Sequence, residues 1–400
     1  MTKNKSPQIP ALLVSFFVSA FPINCVAQST VVAVNSDDQV ALSLPLITEK
    51  ISTELDSFLM EHYATDGSDP ATRAPGLVLL VDTPDGQYLN AVGVQSLETQ
   101  IAMRTGDVFE IGSNSKSFTI VLLMQLQEQG VLSIDQRLNE WLPEWAEKIP
   151  YGDEVTLRQL AGHTSGIWDY GDPVITESAE TPEKLREYFS PEQLVQYAVK
   201  NGTPDFAPGA EGQWNYTNTG YILLGMIIEK AAGASLDDLY QSQIFEPLDL
   251  KSAKFLTRSP DIGEIVEGYY WTAPDNRIIN TTFWNVSQGW AAGGIIMTAE
   301  DLATYGKALA AGEFFENDDT LQTMLEFNPD AEGGIMPFGL GLIDFSKLGA
   351  EGYWGHEGQT AGFQTLWLTN PELGVTIVGL SNSANFSGFY FLEVAKILVP

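Results

Sequence analysis

Phe109-Glu110-Ile111-Gly112-Ser113-Asn114-Ser115-Lys116-Ser117-Phe118-Thr119 leads small, turn-tolerant residues into a mostly apolar run, Phe118 to Leu126, with Gly130 after it. This pattern predicts a helix that begins near Ser113 and is stopped by glycine. Residues three apart share a helix face, so Lys116 falls one turn below Ser113 with its amine beside the hydroxyl. The helix start adds unpaired N–H groups and partial positive charge at the same place. A serine becomes a nucleophile when a neighbour takes its proton and donors await the oxyanion. Alone, the Ser-x-x-Lys spacing is weak, because serine at a helix start is commonly a cap and lysine on a helix is commonly solvated. Its weight depends on partners elsewhere in the chain.

Composition sets the frame. The chain has 400 residues, 44% of them hydrophobic, enough for one large or two modest globular units. Twenty basic against 52 acidic residues give a net charge of −32, spread along the chain. Such a surface repels nucleic acid and anionic membranes. Lys3 and Lys5, the apolar run Ile9 to Phe21 and the small residues before Gln28 read as a secretory signal cut after Ala27, residues 1–27. The expected location is therefore periplasmic or secreted, with no stable membrane insertion once the signal is removed. Cys25 is the only cysteine, so disulfides and thiolate metal sites are excluded from the mature chain. No cofactor is called for.

Residues 28–46 read as a loose arm, and 47–400 as the catalytic domain. Ile47, Ile51, Leu55, Phe58 and Leu59 give a helix over Ile47 to Tyr63. Gly76 to Val81 and Tyr88 to Val94 flank the turn signal Asp82-Thr83-Pro84-Asp85-Gly86. Helices are expected over Pro191 to Lys200, Asn218 to Ala231 and Ala299 to Ala310. Residues 251–295 read as aromatic and irregular. Strands are expected over Phe338 to Phe345, Gly362 to Thr369 and Val375 to Ser381, then a final helix, Phe386 to Val399. The fold class is α+β: one antiparallel sheet assembled from both ends, helices packed on it, and a mostly helical insertion at about 126–285.

Two further groups carry chemistry. In Tyr216-Thr217-Asn218 a phenol relays a proton if a cation lowers its pKa, and an amide orients a lysine or a substrate. In His356-Glu357-Gly358-Gln359 the histidine can hold or polarise a substrate and Gly358 admits a substrate backbone. The N–H groups of Ser113 and Gln359 can form an oxyanion hole. Tyr88-Leu89-Asn90 matches the second pattern too, but on a predicted strand. Three histidines, His62, His163 and His356, make a histidine metal cluster implausible. There is no Gly-x-Ser-x-Gly elbow and no Gly-rich phosphate loop.

Ser-x-x-Lys, Tyr-x-Asn and His-x-Gly in this order resemble the penicillin-recognising serine hydrolases. The nearest branch is that of class C β-lactamases, D-alanyl-D-alanine carboxypeptidases and related esterases. His163-Thr164-Ser165-Gly166, Pro208-Gly209 and Gly293-Gly294 fit the same resemblance, which spans about residues 75–385. It implies a DD-peptidase/β-lactamase-like fold and an acyl-enzyme on Ser113. Lys116 and Tyr216 would handle its proton, Asn218 would orient Lys116, and Ser113 and Gln359 would hold the oxyanion. It also places His356 to Gln359 on a strand lining the cleft, and makes His163 structural. Class C β-lactamases usually carry lysine where His356 stands, so efficient β-lactam turnover is not expected. The leading activity is a D-alanyl-D-alanine carboxypeptidase acting on a peptide acyl donor, with β-lactamase or carboxylesterase as alternatives. A non-catalytic binding protein is the alternative from another class. No arginine can be assigned as a carboxylate clamp; Arg277 is a candidate only by its place in the aromatic stretch, where a surface role is the favoured reading.

Overall fold

Leu77, Val78, Leu79, Leu80 and Val81 are all buried. A strand hidden on both faces reads as a continuous apolar run rather than an alternation. This strand, β1 (Gly76–Thr83), lies inside a six-stranded antiparallel sheet. The computed structural model describes residues 47–178, 182–272 and 277–398. The proposed signal and arm, 1–27 and 28–46, lie outside them.

The other strands follow in chain order. They are β2 (Gly86–Gly93), β3 (Phe109–Glu110), β4 (Lys254–Phe255), β5 (Tyr269–Thr272), β6 (Arg277–Asn280) and β7 (Ile295–Met297). The last four are β8 (Ile343–Asp344), β9 (Trp354–Gln359), β10 (Gln364–Asn370) and β11 (Val375–Ser381). The large sheet has the order β2-β1-β11-β10-β9-β8, so strands from both ends of the chain meet where Leu77 pairs with Ser381. β3, β7 and β4 make a small second sheet, and β5 pairs with β6.

Strand alternation sorts the side chains into two cores. Val78, Leu80, Trp367, Val378 and Leu380 join the core that holds α2 (Ser115–Glu128) and the helix Ala299–Ala310. Leu77, Leu79, Val81, Leu366, Leu368 and Ile377 face the other way, against α1 (Glu49–Glu61) and the helix Leu392–Leu398. Tyr88 of the second Tyr-x-Asn match packs on this far face, where its hydroxyl donates to Asp56 at 2.7 Å.

α2 is buried from Ser115 to Met124, as befits a helix apolar on nearly all sides. Phe118 stacks on Tyr305 at 3.5 Å between ring centroids. A Cβ on Gly306 would lie 2.0 Å from the Trp367 indole, so glycine lets the helix Ala299–Ala310 settle onto the sheet. The helix Asn218–Ala232 ends on Gly233, whose left-handed φ of 68° closes it as expected.

Four expectations need correction. The strand over Phe338 to Phe345 shrinks to Ile343–Asp344, because Gly341 adopts φ 69° and the Gly339 N–H turns back onto Leu342. The irregular stretch 251–295 contains three short strands, β4 to β6, and β7 begins at its last residue. The final helix is a 3-10 turn, Gly388–Phe391, followed by Leu392–Leu398. The helix bearing Ser113 opens with a 3-10 turn, Gly112–Asn114, and becomes regular at Ser115. Among the described residues no helix is long and apolar enough to cross a membrane.

Candidate active site

The turn before α2 is fixed from three sides. Gly112 takes φ 52°, and a Cβ there would lie 2.9 Å from the backbone N and O of Gln359. Glycine therefore presses the Ser113 turn against β9. The Asn114 amide donates to the Ile111 carbonyl at 2.9 Å and to the Thr365 hydroxyl at 2.7 Å. Gly358 makes this contact possible, since a Cβ would sit 2.0 Å from the Ile111 carbonyl oxygen.

Lys116 is fully buried, and its Nζ has three acceptors within reach. It donates to Ser113 Oγ at 3.0 Å, Asn218 Oδ1 at 2.8 Å and the Ala292 carbonyl at 2.9 Å. The one-turn spacing expected from sequence thus places amine beside hydroxyl. Burial pushes the amine from 10.5 down to about 7, against the opposing pull of the Asp169 and Glu357 carboxylates. A substantial fraction is then neutral near pH 7 and able to take a proton.

Tyr216 closes the group. Lys116 Nζ lies 4.7 Å from its ring centroid. Its hydroxyl is enclosed without a formed hydrogen bond, and Ser113 is the side chain that acts on it as a partner. Catalytic contacts of this kind commonly tighten only when substrate binds. The expected lowering of the phenol pKa does not occur. Burial first, and the Glu357 carboxylate second, hold it well above 10. Tyr216 is a proton donor at neutral pH, and Lys116 is the group with a tuned pKa.

Asp169 was not identified from sequence. It accepts from the Asn218 backbone N–H at 2.6 Å and from its amide Nδ2 at 3.2 Å. The amide is thereby oriented, with its oxygen toward Lys116. Asp169 follows His163 by six residues in a loop, a spacing that no helix or strand periodicity marks. His163 itself is buried and accepts the Thr217 N–H at Nδ1, 3.1 Å, so it fixes the Tyr216 loop.

The direction of the Gln359 N–H follows from strand geometry. Gln359 pairs with Gln364, and the next residue, Thr360, donates its N–H to Phe363. Successive N–H groups of an antiparallel strand point to opposite sides. The Gln359 N–H therefore faces away from β10, toward Gly112 and Ser113.

An open cavity of about 520 Å³ lies beside Ser113. Gln359, Thr360 and Ala361 line one wall, Trp284, Val286 and Ile175 another, and Glu110 is part of its lining. The described lining includes neither His356 nor Gly358, the two residues expected to meet substrate. His356 is fully buried behind Lys116, its Nδ1 bonded to the Glu357 carbonyl. Burial, then the Lys116 charge, push its pKa to about 3, so it stays neutral. Glu357, next to it, is pushed up to about 7 by burial, although Lys116 opposes that. A second cleft of about 690 Å³ reaches Tyr216 from the other side, between Asp169, Asp172, Asp205 and Glu332. Among the described residues lining either cavity there is no arginine or lysine. Arg277 sits exposed on β6.

The chain is 26% identical to penicillin-binding protein 4* of Bacillus subtilis (strain 168), over 77% of this chain and 68% of that one. It is 28% identical to a D-aminopeptidase of Brucella anthropi, over 76% of this chain but only 54% of the relative. The chain thus spans about half the length of that enzyme. Among solved structures, a D-stereospecific amidohydrolase from Streptomyces sp. superposes with a TM-score of 0.73 at 27% identity, covering 85% of this chain and 97% of that one. The family model described as Beta-lactamase matches residues 59–393, nearly all of the described chain, and the protein belongs to that family of serine hydrolases.

Proposed function

We propose that the protein is an exported serine amidohydrolase that cleaves short peptide or amide donors through an ester on Ser113. The observation that carries the reading is the 3.0 Å contact from a buried Lys116, tuned to about 7, to the Ser113 hydroxyl. Neutral Lys116 takes the Ser113 proton as Oγ attacks the carbonyl carbon. The carbonyl oxygen becomes an oxyanion held by the N–H groups of Ser113 and Gln359. Tyr216 donates a proton to the leaving nitrogen and is reprotonated from Lys116. The C–N bond breaks and the acyl group stays on Ser113. Water then attacks the ester with Lys116 again as base, and Ser113 leaves with its proton restored.

The charge around the cleft favours amides over the carboxypeptidase and β-lactamase activities. A D-alanyl-D-alanine peptide and a β-lactam both carry a carboxylate near the scissile bond. Here such a group would meet the Glu110 carboxyl, with no arginine or lysine among the described lining residues to receive it. The D-aminopeptidase and D-stereospecific amidohydrolase among the relatives support a D-configured acyl donor.

Intact-protein mass spectrometry after exposure to D-amino acid amides, a D-alanyl-D-alanine peptide, nitrocefin and a short-chain ester tests this. An acyl adduct or turnover with the amide, lost in Ser113→Ala, is expected. Faster turnover of nitrocefin or of the carboxylate-bearing peptide than of any amide overturns the choice of substrate. A folded protein that none of these donors and no fluorophosphonate can label overturns the hydrolase reading.

A further inference from the structure

Glu110 has no part in the chemistry above, yet it is one of the residues that line the cavity beside Ser113. It lies on β3, three residues before the nucleophile, and only 2% of its surface is exposed. Its Oε1 is buried without a hydrogen-bond partner, and the only side chain acting on the carboxyl as a partner is Thr360. A buried carboxyl oxygen left open costs free energy, so such groups are normally satisfied. Glu110 is the one carboxyl among the described lining residues. The cavity's other ionisable side chain, Tyr170, is already committed, donating to the Gln288 carbonyl at 2.5 Å. Ile175, Trp284, Val286 and Ala361 give that space an apolar side, beside the uncharged Asn218, Gln288, Gln359 and Thr360.

We propose that Glu110 is a substrate-binding residue that receives the free amine of an aminoacyl donor whose apolar side chain lies against Trp284 and Ile175. This deepens the amidohydrolase reading and rests on it for the identity of the scissile bond. An ammonium fills the open acceptor and finds a counter-charge in a cavity whose described lining holds no arginine or lysine. An N-acylated donor has no charge to offer, and an anionic one is repelled. The acidic surface would also concentrate cationic substrates near the mouth of the cleft.

The test compares D-phenylalanine p-nitroanilide with its N-acetyl form on the wild-type enzyme and on Glu110→Gln. Wild type is expected to prefer the free amine by at least about 30-fold in kcat/KM, the size of a buried charge-assisted contact. In Glu110→Gln that preference falls to within about threefold, with the loss mainly in KM. Equal losses on both substrates, or an unchanged preference, overturn the assignment, since a structural role would lower both alike. If neither anilide is cleaved and no donor labels Ser113, the hydrolase reading fails separately, and binding decides the inference. D-phenylalaninamide should then raise the Tm of wild type but not of Glu110→Gln, and equal Tm shifts in the two proteins overturn it.

Discussion

Replacing Glu357 by glutamine and following kcat/KM from about pH 5 to 9 tests the base directly. Lys116 is brought from 10.5 to about 7, chiefly by burial. At pH 7 an ordinary lysine would be neutral in about one molecule in 3,000, and this one is neutral in about half, a gain of roughly a thousandfold. Activity on a neutral amide should therefore rise with pH through a midpoint near 7 and level off above it. Glu357 and Glu110 are both pushed up to about 7, so the midpoint belongs to a coupled set. The variant separates them. The Glu357 carboxylate favours the charged amine, and removing it lowers the lysine pKa further. The rising limb should shift to lower pH by about half a unit to one unit. If glutamate itself were the base, the limb would vanish rather than shift. An upward shift, or a flat profile between pH 5 and 9, would refute the assignment of Lys116.

Ser113→Ala should abolish covalent labelling by a fluorophosphonate while leaving the Tm within about 2 °C, read by intact mass and calorimetry. Tyr216→Phe should lower kcat about 10²- to 10³-fold with a small change in KM, because the donor acts on the leaving group and not on binding. Glu110→Gln should raise stability at pH 8. The folded pKa of about 7 lies above the usual 4.5, so stability is lost as pH climbs through that window. The 2.5-unit gap sets an upper bound of about 3 kcal/mol, which denaturant melts at pH 4 and pH 8 would measure. Gly358→Ala should cost about 3 kcal/mol or more, since its Cβ would lie 2.0 Å from the Ile111 carbonyl oxygen, and urea midpoints would show it.

The helices and the central strands were legible because periodicity and terminators agreed. Ala299–Ala310 and Val375–Ser381 fall where they were expected, and the structure adds a Thr298 cap whose side chain accepts from the Asp301 N–H. The two- and three-residue strands β3, β4 and β7 were not, because a pair that short has no period to read. At the site, Ser113 and Lys116 were visible as a local helix spacing, and Tyr216 and Asn218 through the order of three motifs. Asp169, Glu357 and Glu110 were not singled out as buried carboxyls beside this group. An acidic residue in a chain with 52 of them gives no signal until burial separates it from the rest. The electrostatic character of the phenol was misjudged for a related reason. Sequence reveals that a cation is near, but not that the surroundings withhold water from both partners.

β11 lies between β1 and β10 near the middle of the large sheet, although it is the last strand made. The β1–β2 hairpin and the β8-β9-β10 group that bears Gln359 can each form earlier, but nothing joins them into one sheet until β11 emerges between them. Nascent chains should therefore be unreactive toward acyl donors. A stop codon shortly before residue 375 would delete a keystone rather than trim an edge, so truncated products should be cleared by proteolysis instead of persisting as partly competent hydrolases.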